Sequence, residues 1–128
     1  MSYVCKHKSA EMKVIIAGSR NITEYAVVIQ AIKESFFDIT EVVSGGARGV
    51  DSLGEQFAGE YAKDFKLFPA DWAALGKKAG YVRNTQMAKY AEALIAIWDG
   101  QSKGTEHMIN QARQYGLQIY IKMVTNEN

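Results

Sequence analysis

At 128 residues, 48% of them hydrophobic and 23% charged, the chain is about one globular domain, large enough for an ordinary core and without the composition of a long disordered tract. A formal charge of +1 argues against the broad basic face of a nonspecific nucleic-acid binder, and no apolar run reaches the roughly 18 residues of a membrane span. The single cysteine, Cys5, excludes an internal disulfide and cannot by itself make a zinc site, which fits a reducing cytoplasm.

Residues 1–12 read as a short extension before a single domain spanning 13–128. They mix Lys6, His7, Lys8 and Glu11 with no apolar core, so no signal peptide is expected, and His7 between two lysines reads as solvated. The first strand is expected at Lys13–Gly18, where Val14-Ile15-Ile16-Ala17 form the continuous run of a strand buried on both faces. A helix follows over Thr23–Phe37, capped by Asn21 or Thr23, with Tyr25, Val28, Ile29, Ile32 and Phe36 on one apolar face. The second strand, Glu41–Ser44, leads through a glycine loop into a helix over Gly49–Ala62 that points Val50, Leu53, Phe57 and Tyr61 at the sheet. A short third strand, Phe65–Phe68, precedes Pro69 and reads as an edge; the loop 70–80 has room for a turn of helix before a third helix over Tyr81–Ala91. The fourth strand, Ala93–Trp98, is again a continuous apolar run. A helix over Thr105–Tyr115 stops at Gly116, and Gln118–Met123 alternates as a half-exposed edge strand.

This alternation predicts an α/β fold: a Rossmann-like doubly wound parallel sheet of about five strands, in the order 3-2-1-4-5, with helices on both faces. Ligands of such sheets bind beyond the carboxyl ends of the strands, where the strand order reverses. Four segments converge there: Gly18-Ser19-Arg20-Asn21, the loop Gly45–Asp51, Asp71-Trp72, and Asp99–Glu106.

In the second segment Gly45, Gly46 and Gly49 permit close approach of a ligand to the main chain. The helix start offers unpaired N–H groups and a positive dipole end, and Arg48 adds a planar charged fork. Three glycines and an arginine point to a phosphate or carboxylate site more than to a tight turn alone. Arg20 is a second phosphate ligand; Ser19 either joins it or bonds its own turn. Asp51 would repel a phosphate, and is assigned to bracing of the loop or to a sugar hydroxyl. Trp72 and Tyr81 are either core or platforms for a flat base, and Lys77 and Lys78 are expected to be exposed. Gly104 and Thr105 place a second anion site at a helix start. His107 reads as a surface or packed imidazole, since no nucleophile and carboxylate accompany it.

The strings Ala17-Gly18-Ser19-Arg20, Ser44-Gly45-Gly46-Ala47-Arg48-Gly49-Val50-Asp51, Arg83-Asn84-Thr85-Gln86-Met87 and Lys103-Gly104-Thr105-Glu106 resemble the SLOG superfamily, and within it the YspA-like group of unknown function found in bacteria and their phages. The resemblance runs from about Met12 to Met123 and implies a nucleotide-type small-molecule ligand bound by Gly18, Ser19, Arg20, Gly45, Gly46, Arg48, Gly49, Asp51, Arg83, Asn84, Gly104 and Thr105. It also admits a homodimer, and it calls for no cofactor or metal.

The chain is more distantly similar to the LOG phosphoribohydrolases, which split base from ribose 5'-phosphate. Their motif of Arg, Lys, two residues and Met matches Arg83–Met87 with Asn84 in place of Lys, so Arg83 is the catalytic residue the resemblance carries over. Of their second motif only Gly104 and Thr105 remain: Met108 stands where the catalytic Glu belongs, and Glu106, two positions earlier, is the substitute carboxylate. Binding, as a sensor, carrier or sequestering module, is therefore the leading expectation. A nucleotide N-glycosidase using Arg83 with Glu106 or Asp51 is the second, and an interaction protein with a decayed pocket the third. A further similarity, to the DprA proteins that hold single-stranded DNA, is weakened here by the absence of aromatics set among basic residues.

Overall fold

A computed structural model of the protein describes residues 12–125; Cys5 and His7 lie outside the described residues. In chain order the elements are β1 (Met12–Gly18), α1 (Tyr25–Ser35), β2 (Ile39–Ser44), α2 (Val50–Glu60), β3 (Asp64–Leu67), α3 (Trp72–Leu75), a 3-10 turn (Gly76–Lys78), α4 (Ala79–Tyr90), β4 (Ala93–Trp98), α5 (Lys103–Gln114) and β5 (Gln118–Met123). The five strands make one parallel sheet in the order β3-β2-β1-β4-β5, as the alternation predicts.

The central strands show why. In β1, Val14 and Ile16 pack with Val28, Ala31 and Phe57 from α1 and α2, while Ile15 and Ala17 pack with Met87, Ala88, Met108 and Ile109 from α4 and α5. The side-chain period of two divides β4 likewise, with Ile95 and Ile97 toward α1 and α2 and Leu94 and Ala96 toward α4 and α5. Each large aliphatic side chain so enclosed contributes about 1.5–3 kcal/mol by leaving water. The crossover between β1 and β4 follows from these two runs, because only strands buried on both faces can occupy the middle.

Four local expectations give way to the structure; one is Tyr61, expected to face the sheet but placed just past the end of α2 and 54% exposed. Neither Asn21 nor Thr23 caps α1; Glu24 holds the cap position without a side-chain hydrogen bond, and the helix starts at Tyr25. Phe36 leaves the apolar stripe: it sits past the helix end in the left-handed conformation (φ 61°) and is 92% exposed, while Phe37 packs against the core in its stead. Finally, α4 starts at Ala79 rather than Tyr81. The preceding α3, capped by the Asp71 carboxylate on the Ala74 N–H at 3.1 Å, and the 3-10 turn lead the chain directly into it.

Candidate functional site

The loops after β1, β2 and β4, together with α3, the 3-10 turn and the first turns of α4 and α5, enclose a cavity of about 460 Å³ at the carboxyl edge of the sheet. Its floor is the strand reversal. Gly18 lies so close to β4 that a Cβ there would come within 2.3 Å of the Ile97 carbonyl. Ser19, 1% exposed, donates its N–H to that carbonyl at 3.1 Å, and its Oγ accepts from the Asp99 N–H at 3.3 Å. That bond runs to the fourth loop and not, as the sequence suggested, to the backbone of its own turn, and it ties the first and fourth loops together.

The glycine loop is self-satisfied to a degree the sequence does not announce. The Gly46 N–H donates to Ser44 Oγ at 3.1 Å, the Ala47 N–H to Asp51 Oδ2 at 3.2 Å, and the Ser52 hydroxyl to the Ala47 carbonyl at 3.3 Å. The carboxylate of Asp51 thus occupies part of the concavity expected to cradle a ligand anion. Gly46 and Arg48 are exposed and do not line the cavity; Gly45 and Gly49 support its wall from behind.

Arg83 reaches that wall from α4. Its Nη1 donates to the Gly45 carbonyl at 2.6 Å and its Nε to Asn84 Oδ1 at 3.1 Å, which fixes the guanidinium and leaves the other donors of the fork for a ligand. Burial lowers the Arg83 pKa, Asp51 opposes that shift, and Arg20 adds to it. Asn84, 6% exposed, donates to the Gly104 carbonyl at 3.3 Å and lies 3.1 Å from His107 Nδ1, joining α4 to α5. The His107 ring stacks on Tyr81 at 4.3 Å between centroids, and burial lowers its pKa. Of the surface and packed positions the sequence allows for it, the structure shows the packed one.

Two carboxylates line the same cavity with opposite tendencies. Asp99 accepts from the N–H groups of Gln101 and Ser102, each at 2.9 Å, and those bonds hold its pKa below the ordinary value. Asp51, 6% exposed, is pushed up by burial to about 6, against the pull of the Ala47 N–H, Arg83, the Gly45 N–H and Arg20. The folded protein therefore binds more protons at Asp51 than the unfolded chain does between pH 3.8 and about 6. As pH rises through that window the group withdraws about 3 kcal/mol of stability, and above it the loss is constant. Urea unfolding should show Asp51→Asn gaining stability relative to wild type between pH 4 and pH 7.5, by an amount on the order of that loss.

Among the ligand residues expected from the sequence, Gly18, Ser19, Arg20, Asp51, Arg83, Asn84, Gly104 and Thr105 line the cavity. Glu106 does not: it is exposed, on the helix face turned away from Thr105 and Met108. Met108, where the resemblance read from the sequence would place a catalytic Glu, is buried in the cavity wall. Lys77 and Asp99 join the lining without having been chosen as ligands. Trp72 and Tyr81, left open between core and platform, are 54% and 47% exposed on its rim. Among the described residues no group of three or more His, Cys, Asp or Glu could hold a metal ion, and no helix is long and apolar enough to cross a membrane.

No family model matches the chain. The fold is similar to that of DNA processing protein A (DprA) from Streptococcus pneumoniae, with a TM-score of 0.71 over 88% of this chain at 16% identity; the chain spans 50% of that structure's length. In sequence it is 33% identical over 117 residues to the Gene 61 protein of Mycobacterium phage D29, a match covering 84% of this chain and 93% of the phage protein. At that identity and coverage, the chain belongs to the family of the Gene 61 protein of Mycobacterium phage D29.

Proposed function

We propose that the protein binds a nucleotide or nucleotide-derived phosphorylated ligand in the cavity at the carboxyl edge of the sheet. The observation that carries this reading is the pairing of chemistries around one space: guanidinium and ammonium groups of Arg20, Arg83 and Lys77 on its lining, and the exposed rings of Trp72 and Tyr81 at its rim. Phosphate oxygens match the fixed fork of Arg83, and a base has a flat aromatic surface to lie against. The Gly104 N–H at the start of α5 adds to the anion site, while that of Thr105 is taken by the capping Ser102 Oγ. The resemblance of the loop motifs to those of the SLOG superfamily supports the same ligand class.

Binding suits the lining better than N-glycoside hydrolysis. Glu106 is outside the cavity and Met108 fills the place of the missing carboxylate, so Asp51, engaged by the loop it braces, is the only candidate carboxylate of the two that a bound sugar could meet. Titration calorimetry against nucleoside monophosphates, ADP-ribose and inorganic phosphate tests the proposal. Saturable binding of at least one phosphorylated nucleoside is expected, with intact ligand recovered afterwards. Folded protein that binds none of them would refute it, and release of free base would move the assignment to the enzyme reading.

A further inference from the structure

The cavity sets three cations, Arg20, Lys77 and Arg83, against two carboxylates, Asp51 and Asp99. With both carboxylates ionised the lining carries a single net positive charge, enough to balance one negative charge on a ligand. Asp99 stays ionised, held by two backbone N–H groups. Asp51 is different. It is buried in the cavity wall on α2, faced by Arg83 from α4 and Arg20 from the loop after β1, with Lys77 from the 3-10 turn and Asp99 from the loop after β4 on the same lining; His107 on α5 lies behind Asn84.

An anion that pairs with Arg20 and Arg83 neutralises the two cations that keep Asp51 ionised, and adds its own repulsion. Two like charges about 8 Å apart at an effective dielectric of about 20 lose a factor of about 30 in affinity. Protonation of Asp51 removes that repulsion and raises the net charge of the lining by one.

We propose that the site selects ligands carrying a single phosphate, and that Asp51 sets this limit by taking up a proton as a doubly charged phosphomonoester enters. A di- or triphosphate brings charge that no further group on the lining balances. The proposal rests on the phosphate-ligand reading above but fails separately from it.

Calorimetry with AMP, ADP and ATP, without divalent metal at pH 7.5 and in two buffers of different ionisation enthalpy, tests it. At that pH the AMP phosphate is almost fully doubly charged, its second proton leaving near pH 6, so proton uptake reports on the protein. AMP is expected to bind tightest, with each added phosphate weakening binding about tenfold, and its apparent enthalpy should shift between buffers in the sense of proton uptake. Asp51→Asn keeps an oxygen acceptor for the Ala47 N–H and holds the lining in the charge state of the protonated carboxyl; it should abolish the uptake and tighten AMP and ATP alike, since neither ligand then has to draw in a proton. ATP binding as tightly as AMP, or AMP binding without proton uptake, would overturn the proposal in wild-type protein alone, whatever the variant's stability. Failure of all three nucleotides to bind would overturn the phosphate reading itself.

Discussion

Gly49→Ala should lower the unfolding free energy by about 3 kcal/mol or more. Gly49 adopts φ 74°, a left-handed conformation that side chains with a Cβ rarely take. A Cβ added there would also lie 2.5 Å from the Arg20 carbonyl and 2.6 Å from that of Ser19, backbone atoms of the neighbouring loop that have no rotamer to escape into. Strain and collision add, and relief requires the first two loops of the cavity to part. Gly59→Ala supplies the comparison: at this exposed position inside α2 an added methyl would meet nothing within 4 Å, so helix propensity alone should stabilise the protein by about 0.5–1 kcal/mol. Urea unfolding of the two variants, read against wild type, checks both signs.

Arg83→Ala should weaken binding of a phosphorylated nucleoside by about 1.5–3 kcal/mol, roughly 10- to 150-fold, with the sheet intact. The guanidinium is already held by the Gly45 carbonyl and the Asn84 side chain, so a ligand meets a donor set that loses little freedom on binding. Gly45→Ala offers a second route to the same loss. Its Cβ would come within 2.4 Å of Arg83 Nη1, and because the obstacle is a side chain, the guanidinium swings away rather than the fold giving way. Arg48→Ala, by contrast, removes an exposed charge outside the cavity and should change affinity by less than about threefold. Calorimetry on the three variants with one nucleoside monophosphate ranks them directly.

That ranking departs from the sequence-based expectation, and the reason is physical. Arg48 stands beside the glycines in the chain, whereas Arg83 is 38 residues from Gly45 and reaches the loop only because α4 packs on the sheet face with its N-terminal half at the carboxyl edge. Sequence proximity favours the first; tertiary packing selects the second. The glycine loop itself was legible as a turn from β2 into α2 and as a wall of the pocket. What its backbone donors do was not, because that depends on where the side chains of Ser44 and Asp51 point.

The strands were easier. Val14–Ala17 and Ala93–Ile97 are unbroken apolar runs that only central strands require, and the order of the sheet follows from placing them together. Helix ends were harder: Phe36 has the spacing of a core residue but falls just past the last turn of α1. Glu106 shows the same limit within a helix, since one position from Thr105 turns a side chain by about 100°, out of the cavity and into solvent. Lys77 arrives by a 3-10 turn whose three residues carry no periodic signal.

Whether phosphate is held inside the cavity by Arg20 and Arg83 can be read from a crystal structure of the protein grown with AMP. Phosphorus density within hydrogen-bond reach of both guanidinium groups is expected, with the base against Trp72 or Tyr81; phosphate seated instead on the exposed turn at Gly46–Arg48, with the cavity free of nucleotide, would contradict the proposed site.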